Sequence, residues 1–316
     1  MKAAIAHRYG PPESLDVTEV PRPIPGPGEV LVRVEASAVT AGDSRMRGGR
    51  FPRGFGLPAR LAIGLRGPRR KVLGMAFSGT VEELGDGVEG HTPGDEVAGM
   101  NGRLGTHAQF AVVPARILVP KPAQLGHADA AGLLFGGTTA LHFLRDKARL
   151  APGARVLVNG ASGAVGSSAV QLAKHFGAHV TAVAGPANQE LLARLGADEA
   201  VDYTRTPVES LTGPFDLVLD AVGNVSAALG KRLAGERGTV VLAAADLLTT
   251  ITARGRVVAG IASDSPELVA YLLDLAARGA LDPFTRVIGG LDALPEAHAL
   301  VDSGRKTGNV VVLPWA

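Results

Sequence analysis

One segment constrains the fold of this 316-residue chain more than any other: residues 154–174 join an apolar strand to a helix through a glycine-containing turn. The pattern predicts a strand over Arg155–Asn159, and apolar residues at helical spacing follow the turn. The turn contains Gly160, Gly163 and Gly166. Glycines at such positions let the backbone approach an anion and let the helix pack closely, while the free N–H groups of the first helical turn face the anion. This segment therefore predicts a site for the diphosphate of a nucleotide cofactor.

The spacing departs from the usual Gly-x-Gly-x-x-Gly, because Ala161 stands at the first glycine position. A glycine-rich turn that binds nothing is the alternative interpretation. The context favours the cofactor site, since a second strand over His179–Ala184 follows the helix, as a strand–helix–strand unit requires. We expect every residue of the turn to contact the cofactor: Gly160, Ala161, Ser162, Gly163, Ala164, Val165 and Gly166.

Composition excludes several other classes of protein. The chain has no cysteine, which excludes disulfides, thiol nucleophiles and cysteine-rich zinc sites. Its formal net charge of +2 does not indicate nucleic acid binding. No apolar run approaches the roughly 20 residues that span a bilayer, and the N terminus lacks the apolar core of a signal peptide. We therefore expect a cytoplasmic protein without a membrane partner.

The chain changes its pattern twice, which predicts three segments. Residues 1–124 contain short strands separated by Pro and Gly, as in a compact barrel or sandwich. Residues 125–264 alternate apolar strands with helices, which predicts a parallel sheet covered on both faces. Residues 265–316 contain a helix and then two strands flanking another helix, and we expect the last strand, 309–313, to return to the first domain. The predicted fold class is α/β.

Six segments in this order give the chain a specific resemblance. They are residues 25–43, 73–85, 93–97, 136–141, 195–203 and 215–223, together with the glycine turn. The chain resembles the medium-chain dehydrogenase/reductase superfamily, specifically its zinc-free quinone oxidoreductase branch. The resemblance covers almost the full length. It implies a GroES-like β-barrel domain and a Rossmann doubly wound parallel-sheet domain, with NAD(P)H in the cleft between them.

The resemblance also predicts that no zinc is bound. Zinc-dependent members of the superfamily have a Cys near the position of Ala41, a His at the position of Met75 and an acid at the position of Ala76. Catalytic zinc needs three protein ligands and an open position, and those ligands are missing here. Three histidines are interpreted as ordinary surface or loop residues: His91, His107 and His127.

The end of the second Rossmann strand predicts NADPH as the cofactor, in preference to NADH. Dinucleotide sites for NAD place an acid there to bind the ribose 2′-hydroxyl. Here the strand ends at Gly185, and no acid follows until Glu190. Related quinone reductases hold the 2′-phosphate with a Tyr, matched by Tyr203, and with a Lys, whose position is Asn188 in this chain. Both residues are expected near the adenosine end of the cofactor.

Other cofactor contacts are implied by the resemblance alone. Thr139 is expected near the nicotinamide, and Val222 and Gly223 along the adenosine side or the ribose. The family usually has Gly-Lys before its last strand, but Asn309 stands at that lysine position here. Lys306 is interpreted as too displaced to replace the missing lysine.

The expected chemistry is reduction of a small-molecule electron acceptor, a quinone or an activated alkene such as an enone. Thr40, Asp43 and Tyr9 are the catalytic candidates, although none has the partner constellation of a general acid. Thr40 is equally well explained as the cap at a strand end. Residues 45–71 contain eight arginines and no acid. That segment either attracts anionic substrates or screens cofactor phosphates, or it is a solvated loop.

Two other functions fit the same sequence. An enoyl-thioester reductase would give the arginines a phosphopantetheine or coenzyme A to contact. A low-turnover NADPH-binding sensor or RNA-binding protein is the third hypothesis. The resemblance further implies a homodimer, with residues 256–261 as the candidate edge strand.

Overall fold

The N-terminal strands form two sheets. The computed structural model describes residues 1–316. A two-stranded antiparallel sheet joins the first two strands, and the others belong to a barrel-like sheet. The strands are β1 (Lys2–Ala6), β2 (Leu15–Glu19), β3 (Glu29–Ala38), β4 (Ala76–Leu84), β5 (Glu96–Met100), β6 (Phe110–Pro114) and β7 (Val119–Pro120).

Two short helices fill the connection between β3 and β4, where the arginine-rich segment lies. They are α1 (Ala41–Gly48) and α2 (Gly56–Ile63). Thr40 and Asp43 start α1 with a reciprocal capping box. Gly49 ends it with φ of 62°, a left-handed conformation that favours glycine. This connection therefore leaves the barrel as an ordered loop with two helices.

A six-stranded parallel sheet follows, and it confirms the predicted α/β alternation. Its order is β10-β9-β8-β11-β12-β13, so the chain winds outward in both directions from the centre. The strands are β8 (Arg155–Asn159), β9 (His179–Ala184), β10 (Glu199–Asp202), β11 (Leu217–Asp220), β12 (Thr239–Leu242) and β13 (Val257–Ala259). The helices of this part are α3 (His127–Leu141), α4 (Ala164–His175), α5 (Gln189–Arg194), α6 (Ala227–Leu233) and α7 (Leu247–Thr252). The order reverses between β8 and β11, which is where such sheets bind ligands.

The C-terminal part returns to the barrel-like sheet. It comprises α8 (Pro266–Ala277), β14 (Thr285–Gly289), α9 (Leu294–Asp302) and β15 (Asn309–Val312). β15 pairs antiparallel with β3, with Val311 opposite Ala38. The first and last parts of the chain therefore share one sheet, while the bounds 1–124, 125–264 and 265–316 stay predictions.

One apolar core joins the two sheets. It contains Ala36 and Ala98 from the barrel-like sheet and Val158 and Leu217 from the parallel sheet. α3 contributes most of its length to this core. The cleft between the sheets thus has walls that rest on shared packing. None of the helices combines the length and the apolar character needed to cross a membrane.

Candidate functional site

The turn after β8 is held open by its glycines. Gly160 has φ of 79°, and the N–H groups of Gly160 and Ala161 donate to the carbonyl of Val183 on β9 at 3.1 and 2.9 Å. A Cβ at Gly166 would overlap the carbonyl oxygen of Gly160. A Cβ at Gly163 would have only one neighbour within 4 Å, the Gly160 oxygen at 3.6 Å. Gly166 is therefore required for packing, whereas Gly163 faces open space.

The start of α4 presents free hydrogen-bond donors. Gly163 is the N-cap and makes no side-chain capping bond. The N–H groups of Ala164, Val165 and Gly166 have no acceptor within the protein. The helix macrodipole adds positive potential at the same point. The cradle thus fits the diphosphate that the sequence predicted, because it offers several backbone donors to an anion and no acid.

The C-terminal segment closes against this turn. The N–H of Gly308 donates to the carbonyl of Ser162 at 2.8 Å, and Gly163 and Gly308 form a β-bridge. A cavity of about 200 Å³ lies between this segment, the turn and the barrel-like sheet. Asn309 lines this cavity, and its side-chain amide donates to the carbonyl of Pro283 at 2.6 Å.

Lys306 lines this cavity, which sequence reasoning did not anticipate. Its Nζ donates to the carbonyl of Gly308 at 2.6 Å and has no carboxylate partner. Burial lowers the pKa of Lys306 to about 8. The turn at Gly308 thus brings Lys306 to the glycine turn despite its displacement along the chain, and whether it replaces the missing lysine stays untested. The position of Lys306 in the sequence, two residues before Gly308, did not indicate that it lies at the glycine turn.

Thr40 lines the same cavity, but its hydroxyl is engaged. It donates to the Asp43 carboxylate at 2.6 Å and accepts the N–H of Asp43 at 3.2 Å. The Asp43 carboxylate is fully buried and also accepts the N–H groups of Thr40 and Gly74, at 2.9 and 3.1 Å. These bonds give Asp43 a positioning task for the Thr40 segment, as the capping interpretation predicted.

Tyr9 and Thr139 do not line the cavity. The Tyr9 hydroxyl donates to the carbonyl of Gly64 at 2.5 Å, and burial raises its pKa. The Thr139 hydroxyl donates to the carbonyl of Phe135 at 2.7 Å, one turn earlier in α3. It is Phe135 that reaches the cavity wall. The structure thus gives both hydroxyls protein acceptors.

The residues predicted for the adenosine end lie together at the end of β9. A Cβ at Gly185 would be 3.3 Å from the Tyr203 hydroxyl. Tyr203 is 54% exposed, and Asn188 precedes α5 without a side-chain hydrogen bond. An acid that sequence reasoning missed, Asp202, lies opposite Ala184 in the neighbouring strand. Only the strand register brings that acid to the β9 tip.

The Asp202 carboxylate already accepts hydrogen bonds within its own turn. Its carboxylate accepts the N–H and hydroxyl of Thr204 at 2.9 and 2.8 Å. Arg205 lies 3.9 Å away and balances part of the charge. These contacts reduce its capacity to bind a ribose hydroxyl.

Val222 and Gly223, which the resemblance implies as cofactor contacts, lie beside the turn. The Val222 Cγ2 atom is 2.6 Å from the position of a Cβ at Gly160. The buried carboxylate of Asp220 accepts the N–H groups of Val222 and Gly223, each at 3.0 Å, and an Asn159 amide N–H at 2.8 Å. Asp220 therefore fixes the loop that covers the turn.

Two of the three histidines that were interpreted as surface or loop residues are shielded from solvent. His107 lies in a loop but is buried, and its Nε2 lies 3.2 Å from the carbonyl oxygen of Ala38. His127 is half-buried between Ser78, at 2.8 Å, and Glu96, at 3.2 Å. His91 lies in the loop between β4 and β5. No three His, Asp or Glu side chains come together in a group that could hold a metal ion.

Behind the cavity lies a buried polar cluster that sequence reasoning missed. The ring of His298 packs edge-on against the ring of His107, with centroids 5.7 Å apart. The guanidinium of Arg47 is fully buried, donates to His298 Nδ1 at 3.4 Å and pairs with Asp302. Burial lowers the pKa of His298 to about 2. The cluster ties α1 to α9 and thereby fixes the segment that leads to Lys306.

Comparison with known proteins identifies relatives along the whole chain. The profile of the alcohol dehydrogenase GroES-like domain matches residues 26–123, and that of zinc-binding dehydrogenases matches residues 195–312. Quinone-oxidoreductase QR1, chloroplastic, of Triphysaria versicolor is 30% identical over 94% of this chain and 93% of its own. The 2-methylene-furan-3-one reductase of Solanum lycopersicum is 32% identical over 99% of this chain and 79% of its own.

A solved structure shows the same architecture. The quinone oxidoreductase from Coxiella burnetii has a TM-score of 0.87 to this chain at 28% identity, with 99% of both chains covered. The likeness therefore includes both sheets and the cleft between them.

Proposed function

Because the chain belongs to the medium-chain dehydrogenase/reductase superfamily, in its quinone oxidoreductase branch, we propose that it is a zinc-independent, NADPH-dependent reductase of quinones or activated alkenes such as enones. The oxidoreductase class follows from the family, whereas the cofactor, the acceptor and the zinc independence are the proposal. The observation that carries it is the set of three free backbone N–H groups at the start of α4, which face a cavity whose opposite wall contains Lys306.

The turn and Lys306 would hold the diphosphate of the cofactor. Ala164, Val165 and Gly166 offer N–H donors, and Lys306 offers a cation that no carboxylate neutralises. When bound, NADPH supplies the hydride equivalent for the reduction. The protein binds and orients the two reactants and limits the access of water. The buried capping box at Thr40 keeps the barrel side of the cavity rigid.

The end of β9 supports NADPH in preference to NADH. Gly185 and Tyr203 offer space and a hydroxyl, and Asn188 has no side-chain partner. Asp202 is the one acid close to this tip in the strand register; its Oδ1 already accepts the N–H and the hydroxyl of Thr204, and Arg205 lies 3.9 Å from its Oδ2. A 2′-phosphate therefore meets hydrogen-bond donors and a screened acid.

The side chains at the positions of the relatives' zinc ligands support zinc independence. Met75 stands where zinc-dependent relatives have a histidine, and its neighbour Ala76 has no ligating atom. His107 and His127, the histidines of the barrel-like domain with assigned contacts, bind a carbonyl, a hydroxyl and a carboxylate of the protein. Three ligands with one open coordination position are not assembled around the cavity.

We further propose a homodimer that pairs the edges of two parallel sheets. β13 is the edge strand, within the predicted range 256–261. Apolar side chains stand exposed beside it: Leu248 at 66%, Ile251 at 70% and Ile261 at 98%. Pairing would cover them and would also remove a free strand edge. Sedimentation velocity tests this proposal, and a monomer at micromolar concentration would contradict it.

Steady-state assays test the proposed activity. Reduction is assayed with NADPH or NADH and a quinone or an enone, and oxidation is assayed with NADP⁺ and a primary alcohol. Each assay is run before and after dialysis of the protein against a chelator. We expect reduction of the quinone or the enone, a higher kcat/KM with NADPH than with NADH, and no loss after dialysis. Alcohol oxidation that disappears with the chelator and returns with zinc would overturn the proposal.

A further inference from the structure

A second and larger cavity lies beside the cofactor cleft. Its volume is about 620 Å³, and it separates the loop after α1 from the carboxyl ends of β11 and β12. Val222 lines it and also packs over Gly160 of the glycine turn. The cavity therefore borders the loop that covers the glycine turn, and it lies where doubly wound sheets bind their ligands.

Three arginines from α1 and the loop after it line this cavity, and two of them have no hydrogen-bond or ion-pair partner. Arg50 pairs with Asp302. The guanidinium groups of Arg45 and Arg53 make no ion pair and no hydrogen bond. Desolvation within the cavity lowers the pKa of Arg45, yet no anion of the protein compensates this cost. The protein thus leaves two cations facing a concave space.

The two acids in the cavity wall form no ion pair with these arginines. The pKa of Asp246 is lowered first by its hydrogen bonds with Thr249 and then by the charge of Arg53. The Asp220 oxygens accept N–H groups from Val222 and from Val225, at 3.0 and 3.2 Å. Asp246 caps α7, and its Oδ1 accepts the N–H of Thr249 at 2.7 Å. Both carboxylates are therefore engaged by backbone donors. Neither guanidinium has a protein anion at hydrogen-bond distance, so both keep donors available for an anion from outside.

We infer that Arg45 and Arg53 form a binding site for a carboxylate or a phosphate on the electron acceptor, remote from the group that is reduced. The inference rests on the proposed function and narrows its substrate class to anionic acceptors. Guanidinium groups suit this task, because each offers a planar pair of donors to two oxygens of the anion.

The position of the cavity assigns the anion to the acceptor instead of the cofactor. The diphosphate has its own donors at Ala164, Val165 and Gly166, with Lys306 opposite. The proposed 2′-phosphate end lies at the tip of β9, on the other side of β8 from β11 and β12. Both proposed phosphate positions therefore lie outside the residues that line the arginine cavity, and its contact with the cofactor is limited to Val222 and Gly223 of the wall.

A matched set of acceptors tests the inference. It comprises a 2-methyl-1,4-naphthoquinone with a carboxyalkyl chain, the methyl ester of that acid, and the corresponding alkyl phosphate. The variant is R45Q/R53Q, which breaks no side-chain contact within the protein. The matched control is R66Q/R70Q, since those two exposed arginines belong to the same segment but do not line the cavity. Circular dichroism and the Kd for NADPH are measured for each variant.

The expected result is a change in the ratio of kcat/KM for the acid over that for its ester. R45Q/R53Q should lower this ratio by about tenfold or more, because each guanidinium contact to an anion is strong. R66Q/R70Q should leave the ratio within twofold. A fall for the phosphate alone identifies a phosphate site, and a fall for the acid alone identifies a carboxylate site. An unchanged ratio in R45Q/R53Q, or an equal fall in both double variants, would overturn the inference.

Failure of the proposed function gives a different result. If the wild-type protein reduces neither the acid nor the ester, the reductase proposal fails. Equilibrium dialysis of the acid then decides the inference: about tenfold weaker binding by R45Q/R53Q supports the site, and equal binding refutes it. A raised Kd for NADPH in R45Q/R53Q, with an unchanged acid-to-ester ratio, would reassign the arginines to the cofactor and refute it as well.

Discussion

Replacement of Lys306 by Met should remove the pH dependence of cofactor binding above neutral pH. In the free protein, burial lowers the pKa of Lys306 from 10.5 to about 8. A bound diphosphate favours the charged amine and should return the pKa to about its ordinary value. Binding of NADPH is then linked to protonation of Lys306, so affinity falls as pH rises through 8.

The two pKa values fix the size of the effect. With a free pKa of about 8 and a bound pKa of about 10.5, the Kd for NADPH should rise about tenfold between pH 7 and pH 9. At pH 9, about 0.9 proton should be taken up for each NADPH bound. Groups on the cofactor phosphates titrate near pH 6 and contribute little in this window. In Lys306→Met, both effects should vanish, and the Kd at pH 7 should rise roughly tenfold or more.

Isothermal titration calorimetry measures both quantities. Titrations at pH 7, 8 and 9, in pairs of buffers with different ionisation enthalpies, give the Kd and the number of protons taken up. Lys231→Met is the matched control, because that lysine is exposed and lies on α6 outside the cavity. The reasoning is refuted if Lys306→Met keeps the tenfold pH dependence, or if the wild-type protein takes up no proton at pH 9.

Three further predictions concern the turn and the buried cluster. Gly163→Ala should keep its unfolding free energy within about 0.5 kcal/mol and bind NADPH about tenfold more weakly. Gly166→Ala should lose about 1–3 kcal/mol of stability, because its Cβ overlaps a backbone oxygen. Urea unfolding and calorimetry distinguish the two variants, and equal behaviour would contradict the assignment of Gly166 to packing and Gly163 to the cofactor. His298 has a pKa of about 2 when folded and 6.5 as its ordinary value, so the unfolded state takes up the proton first as pH falls, and stability present above pH 6.5 is lost below it. Urea unfolding should show that His298→Gln removes about 2 kcal/mol of the stability loss between pH 7 and pH 5, and an unchanged loss would refute this. Asp302→Asn should cost about 3 kcal/mol in the same assay, because it leaves the fully buried Arg47 without its anion, and a cost below about 1 kcal/mol would contradict a buried pair.

Local patterns predicted the fold well. The strands at Arg155–Asn159 and His179–Ala184 have the predicted bounds, because glycine and polar residues interrupt the apolar runs at those points. The glycine turn was predictable for the same reason, since its function depends on the backbone of seven consecutive residues. The cap at Thr40 follows equally from a short-range pattern, with Asp43 three residues later.

Contacts between distant segments were not predictable from these patterns. Lys306 reaches the cavity only because Gly308 bonds to Ser162, about 150 positions earlier in the chain. Asp202 reaches the β9 tip through strand register, which spacing alone does not set. The burial of His107, interpreted as a surface or loop residue, was not predicted, because nothing near it in sequence shows that His298 packs against it. Each of these side chains depends on tertiary packing.

The central claim is that the free amides at the start of α4 bind the cofactor diphosphate. Hydrogen–deuterium exchange of the protein with and without saturating NADPH tests this claim most directly. We predict slower exchange at the amides of Ala164, Val165 and Gly166, with little change at α6 on the far side of the sheet. Unchanged exchange at those three amides, with NADPH bound and protection elsewhere, would contradict the claim.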